Sequence, residues 1–250
     1  MDKDLHDRLC IELLDLAVSD SDLCWLNITP DMVGTLVSHL ELLIKKNQVM
    51  NLTRITNEHE ALVLHIIDSL LLIAHKPDLL SNESRLLDIG TGAGYPGIPL
   101  SVVSGCSGAL IDSVGKKVSA VQEFVDTLGL ADRIVCLHAR AEEVPTIFDK
   151  RFDVVTARAV AQTNVLIEYA APCLRRNGTL LVSKGNPSDE ELLAASEAAK
   201  ICGLQESVRL EYDLPEGLGH RTILSYVKTG NPRIKLPRPN GVAKKHPLGV

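Results

Sequence analysis

Aromatic side chains are scarce in this chain of 250 residues: three Phe, four Tyr and one Trp make up 3% of it. So few rings exclude a function built on a ladder of stacked bases. Long apolar runs are missing as well. The most apolar stretch, residues 61 to 74, is interrupted by His65 and Asp68 and is shorter than the roughly 20 residues of a bilayer span, so no membrane helix is expected. The six cysteines, at 10, 24, 106, 136, 173 and 202, form no Cys-x-x-Cys pair. Neither a zinc site nor a dithiol redox centre is expected, and they read as reduced, mostly buried small hydrophobes. The N-terminus, "MDKDLHDRLCIELLDL", spreads acids through its apolar positions and has no basic region followed by an apolar one; that argues against a signal peptide and for the cytoplasm. Acids are absent from the other end. From Arg221 to Val250 there are seven Lys and Arg and no Asp or Glu, so residues 1 to 220 hold 19 basic against 32 acidic residues, a net of −13, although the whole chain carries only −6. A basic tail on an acidic body can grip phosphates, or it can be a solvated terminus; charge alone leaves both open.

What is present falls into three parts: helices over 1–80, an α/β core over 81–230 and the basic tail, 231–250. In the first part Leu9, Leu13, Leu16 and Ala17 recur at helical spacing, "TPDMVGTLVSHLELLIKK" opens with Thr29 as N-cap and Pro30 at the first helical position, and a third helix follows Asn57. From residue 85 short apolar runs alternate with amphipathic segments: RLLDIG, GALIDS, RIVCLH, FDVVTA, GTLLVSKG, ESVRLEY and TILSYV. That cadence predicts a Rossmann-like seven-stranded, mostly parallel sheet, with helices around 99–103, 116–128, 164–174 and 189–202. Four prolines mark the tail as extended.

The stretch "LLDIGTGAGYPGIP" at 86–99 is the densest in glycine. Gly92, Gly94 and Gly97 spell the dinucleotide pattern Gly-x-Gly-x-x-Gly, but the apolar run stops at Ile89 and Pro96 and Pro99 stand where the next helix would open. Asp88, Gly90, Gly92 and Gly94 spell Asp-x-Gly-x-Gly-x-Gly, which resembles the first motif of S-adenosylmethionine-dependent methyltransferases. A carboxylate there can organise the loop and meet a methionine ammonium, whereas a pyrophosphate would be repelled. Asp112 ends the next apolar run and can accept from both ribose hydroxyls; it also suits the N-cap of the helix from Lys116. Ala141 and Glu142 follow the third run, where adenine would lie. Glu142 alone reads as a solvated acid and gains meaning only from the order strand, glycine turn, strand, acid, strand, acid. Cys173, in Pro172-Cys173, lies too far past the fourth run to be a nucleophile and is expected in the core. The residue left at the acceptor side is Arg158.

Across nearly its whole length the chain resembles the bacterial glucose-inhibited division protein B family. The likeness is carried by "MNLTRIT" at 50–56, "HIIDSLLL" at 65–72, "LLDIGTGAGYPGIPLSVV" at 86–103, "GKK" at 115–117, "ARAEE" at 139–143, "FDVVTARAVA" at 152–161, "LLVSKG" at 180–185 and "AKKHPL" near the end. Tyr95 and Val114 depart from the residues commoner at their positions. The resemblance implies an enzyme that methylates guanine N7 in small-subunit ribosomal RNA, with S-adenosylmethionine held by Gly90, Tyr95, Asp112, Ser113, Val114, Ala141, Glu142 and Arg158. It implies small-subunit RNA or a ribosomal particle as partner, a monomer, and no metal. Arg158 is the candidate for orienting or stabilising charge, and no catalytic acid or base is expected. His65, Asp68 and Ser69 look like a cap over the pocket, with His65 toward the RNA. Phosphate contacts are expected from Arg54, Lys116, Lys117, Lys184, Arg221, Lys244 and Lys245. Methylation of a small molecule or protein, an NAD-dependent oxidoreductase, and a protein that merely binds the cofactor stay open as alternatives.

Overall fold

Where the periodicity changes near residue 85, the sheet begins. A computed structural model describes residues 3–20, 22–158 and 160–250; Ala159 of the motif "FDVVTARAVA" lies outside them. Seven strands, β1 Arg85–Ile89, β2 Ser107–Asp112, β3 Ile134–His138, β4 Phe152–Arg158, β5 Leu174–Lys184, β6 Leu204–Asp213 and β7 His220–Lys228, form one sheet in the order β3-β2-β1-β4-β5-β7-β6. Every neighbouring pair is parallel except those made by β7, which runs antiparallel to β5 and β6. The chain order reverses at β1 and β4, and that switch point opens a crevice at the strands' carboxyl ends.

The helices in chain order are α1 Lys3–Ser19, α2 Pro30–Asn47, α3 Glu58–Ala61, α4 Asp68–Ala74, α5 Gly97–Ser104, α6 Gly115–Thr127, α7 Val144–Ile147, α8 Thr163–Ala170, α9 Asp189–Cys202 and α10 Val242–Lys245. A π-helical stretch, Leu62–Ile67, joins α3 to α4. Local chemistry sets the ends. Thr29 caps α2 by accepting from the Met32 N–H at 3.3 Å, with Pro30 at its start, and Asn57 caps α3 by accepting from Glu60. The helix expected over 164–174 stops at Ala170 because Pro172 has no N–H to continue it. Leu174 already pairs with Phe152 in the sheet.

Alternation along the strands divides the core in two. Leu86, Leu110, Val154, Leu181 and Ile223 face one side and meet the N-terminal helices together with α5 and α6. Leu87, Ile111, Val155, Leu180 and Val182 face the other and meet α8 and α9. Leu9 and Leu13 of α1 and Leu36, Leu40 and Leu43 of α2 have no exposed surface, so the helical extension is part of one face of the core. Cys173 is also buried, its thiol turned onto the Tyr169 carbonyl. Among the described residues no helix is long and apolar enough to cross a membrane.

The tail does not run free. Arg238 forms a two-armed ion pair with the buried Glu168 of α8, Asn164 donates to the Leu248 carbonyl at 2.8 Å, and Ala243 is buried. Turns and the short α10 therefore replace the extended tail that its prolines suggested.

Candidate active site

The glycine turn after β1 is built from inside. Asp88 has no exposed surface; its Oδ2 accepts from the Gly97 N–H at 3.0 Å and its Oδ1 from the Thr156 hydroxyl at 3.0 Å. Burial pushes the carboxyl above its ordinary range, against the pull of these bonds and of the Arg158 charge. Of the two tasks expected of Asp88, it performs the first, organising the loop. The second, meeting a methionine ammonium, has no exposed atom to serve it. Gly97 is needed for packing: a Cβ there would stand 2.2 Å from a Leu110 methyl and 2.9 Å from Asp88 Oδ2. Gly90, at φ +71°, takes a conformation that side chains disfavour, and a Cβ would sit 2.6 Å from Val160. Gly94 packs on Ile98 and His39, away from the crevice, while the Cβ position of Gly92 is open, with nothing nearer than 4.0 Å.

At the carboxyl ends of β1, β2 and β3 lies a cavity of about 290 Å³. Gly90, Asp112, Ser113, Val114, Ala141 and Glu142 all stand in its wall, six of the positions expected to hold a cofactor. Asp112 accepts from the Gly92 N–H through Oδ2 at 3.1 Å and from the Val114 N–H through Oδ1 at 2.9 Å. Each oxygen keeps a lone pair unused by these bonds, and Asp112 stands in the cavity wall, so the carboxylate can still accept from a pair of vicinal hydroxyls. The bond to Val114 lies ahead of α6, but α6 starts at Gly115 with Val114 as its N-cap residue and no side-chain cap, so Asp112 braces the turn before the helix and is not its N-cap. Ile89, Ile111 and Val160 supply apolar walls for a flat ring. An acid with accepting capacity to spare, beside apolar walls, fits the adenosine part of S-adenosylmethionine.

Sequence reasoning missed eight wall residues: Ile89, Ile111, Ala139, Arg140, Val160, Tyr169 and Gly241, and Lys244 as a wall residue. Tyr169 shares a hydrogen bond with Glu142; burial first, then the Glu142 charge, push its hydroxyl up to about 12. Glu142 Oε1 also accepts from the Gly241 N–H at 2.8 Å. Glu142 and Gly241 are 99 residues apart, and no local pattern signals such a pair. Lys117, expected to meet phosphate, also stands in this wall.

Tyr95 and Arg158 are outside the wall. The Tyr95 ring is buried between His39 and His65, at centroid distances of 4.3 and 4.8 Å. His39 of α2 bonds through Nε2 to the Ala93 carbonyl at 2.9 Å and so holds the loop from beneath. Burial lowers His39 to about 4, against the pull of that carbonyl, and burial reinforced by Arg158 lowers His65 to about 3. Arg158 Nη1 donates to the Leu64 carbonyl at 2.9 Å and to Asp68 Oδ2 at 3.0 Å, and Arg221 Nε donates to Asp68 Oδ1 at 3.0 Å. Asp68 is thus a buried anchor for two arginines.

The expected RNA contacts divide accordingly. Arg54, Lys116, Lys244 and Lys245 are exposed. His65 is buried and neutral, so it is no phosphate ligand. Lys184 is held by Glu191 at 2.8 Å and by the Ala161 carbonyl, and Arg221 by Asp68; both are half-buried cations with internal partners.

The model of the GidB family, described as rRNA small subunit methyltransferase G, matches residues 32–213. The ribosomal RNA small subunit methyltransferase G of Leuconostoc mesenteroides is 36% identical over 89% of this chain and 94% of its own, and that of Carboxydothermus hydrogenoformans 37% over the same shares. Among solved structures, the ribosomal protein L11 methylase of Lactobacillus delbrueckii superposes with a TM-score of 0.52 at 17% identity, covering 70% of this chain and 80% of its own. The YcgJ protein of Bacillus subtilis gives 0.51 at 16%, covering 67% and 100%. At such identities these two speak for the fold alone. With fold, cavity and sequence in agreement, the chain belongs to the rRNA small subunit methyltransferase G family of S-adenosylmethionine-dependent methyltransferases.

Proposed function

We propose that this protein binds S-adenosylmethionine in the cavity beyond β1, β2 and β3 and methylates N7 of one guanine in small-subunit ribosomal RNA. The observation that carries the reading is the family match over residues 32–213, which runs through every wall of the cavity except Gly241 and Lys244. The bound cofactor supplies a methyl group made electrophilic by its sulfonium. Asp112 would take the ribose hydroxyls, and Ala141 and Glu142 would flank the adenine. Guanine N7 has an in-plane lone pair, so no side chain need remove a proton before the methyl is transferred. The protein's task is then positioning and tolerance of positive charge on the purine. Arg158, fixed by Leu64 and Asp68 at the end of β4, is suited to orient groups at the methyl end. The exposed cations Arg54, Lys116, Lys244 and Lys245 are suited to phosphate, with RNA shape as the main determinant of recognition.

Small-subunit RNA transcribed with 7-deazaguanosine in place of guanosine keeps its base pairing but lacks the acceptor atom. Labelled methyl transfer to ordinary RNA and none to the deaza RNA is expected; equal transfer to both would assign the methyl to another atom.

A further inference from the structure

Two walls of the cofactor cavity, Gly241 and Lys244, come from the C-terminal segment, which lies outside the residues matched by the family model. Its basic charge suggests an RNA arm, yet its contacts point inward. The Gly241 N–H donates to Glu142 Oε1 at 2.8 Å, and Asn240 donates to Glu143 Oε1 at 2.9 Å. Both acceptors sit in the turn Ala141–Glu143 that borders the adenine side of the cavity. Beyond α10, a Cβ at Gly249 would stand 2.1 Å from the Ala194 carbonyl, so the chain end is pressed onto α9. Arg238 and the buried Glu168 pin the start of the segment.

We propose that residues 237–249 form a clasp that completes the cofactor site, holding Glu142 in place and closing the adenine side, so that cofactor affinity depends on the docked tail even with no RNA present. The proposal rests on the cavity being the S-adenosylmethionine site. A ligand gripped between the clasp and the body binds the docked state more tightly than the open one, and by linkage it must hold the clasp shut. Removing the tail would therefore weaken catalysis through the cofactor, and a truncation cannot by itself identify the tail as an RNA arm.

The test is calorimetric titration of the full chain, without RNA, with S-adenosylhomocysteine. Ala243→Arg places a long charged side chain where 1% of the residue is exposed, and so levers α10 off while the Arg238–Glu168 pair stays. Lys235→Ala removes an exposed tail cation outside the cavity. A Kd raised at least about tenfold by Ala243→Arg, with Lys235→Ala within about twofold, is expected. Unchanged affinity in Ala243→Arg, with the Gly241 amide exchanging freely, would overturn the clasp. Should that variant not fold, hydrogen exchange on the unaltered protein decides: saturating S-adenosylhomocysteine should slow the Gly241 amide at least about tenfold, and no slowing overturns the proposal. Absence of binding by the unaltered protein would instead reject the cavity as the cofactor site, a result distinct from normal binding that ignores the tail.

Discussion

Two buried histidines set an acid limit on the fold. In the unfolded chain each takes a proton near pH 6.5; in the folded protein His39 does so only near 4 and His65 near 3. The unfolded state therefore binds more protons between those values, and stability is lost as pH falls from about 6.5, with no contribution from either group above it. Urea midpoints should fall from pH 6.5 to 4, and His39→Phe should flatten that fall while costing about 1 kcal/mol at neutral pH for the lost bond to Ala93; an unaltered slope would discount His39. Asp88 permits a sharper comparison. Asn can still accept from Gly97 and donate to the Thr156 oxygen, whereas Ala leaves a buried N–H and a hydroxyl unpaired. Asp88→Ala should thus destabilise by about 2–4 kcal/mol and Asp88→Asn by about half that or less, read from thermal or urea unfolding. Asp112→Ala should leave the fold intact and weaken S-adenosylhomocysteine binding by about 1–3 kcal/mol. Unchanged affinity would remove Asp112 from the site. Asp112 was legible because an acid closing an apolar run at that place has few purposes. Tyr95 was not, since nothing in "GAGYPG" reveals that its ring turns inward between two histidines from distant helices.

The N-terminal helices act on the site through two junctions, His39 of α2 on the glycine loop at Ala93 and residues 64–68 on β4. In the π-helical stretch the Leu64 carbonyl is turned to Arg158, and the next residue but three, Asp68, takes the same guanidinium nitrogen and Arg221 as well. Asp68→Ala would strand two half-buried cations, and a loss of about 3–5 kcal/mol in stability is expected. Asp68→Asn should lose less, and melting curves of the two variants would separate charge from hydrogen bonding. Equal, small losses would show that solvent can replace the carboxylate. The cap of His65, Asp68 and Ser69 inferred from the sequence is thus a buried clamp on β4. Helix and strand existence was readable from period and caps, because those are local. The end of α8 was misplaced for want of weight on Pro172. The role of the helical extension was hidden because its contacts with β4 span some 90 residues.

The whole molecule carries −6, so attraction to RNA must come from the local distribution of charge. With Arg54, Lys116, Lys244 and Lys245 exposed, affinity for small-subunit RNA should fall with salt, and Lys116→Ala should reduce the slope of log K against log salt by about 0.7–0.9 if it meets one phosphate. An unchanged slope would place the RNA elsewhere. The seven strands and their mostly parallel pairing followed from alternating runs, whereas their order in the sheet and the docking of a basic tail against an acidic turn did not, because a run does not name its neighbour and charge reports attraction and not partner. The most direct measurement incubates the protein with labelled S-adenosylmethionine and small-subunit particles from cells lacking this activity, and maps N7-methylguanine by chemical strand scission. One labelled guanine in the small-subunit RNA is the expected result. Confirmed cofactor binding with no transfer, either to particles or to deproteinised RNA, would contradict the ribosomal assignment and leave the fold with another acceptor.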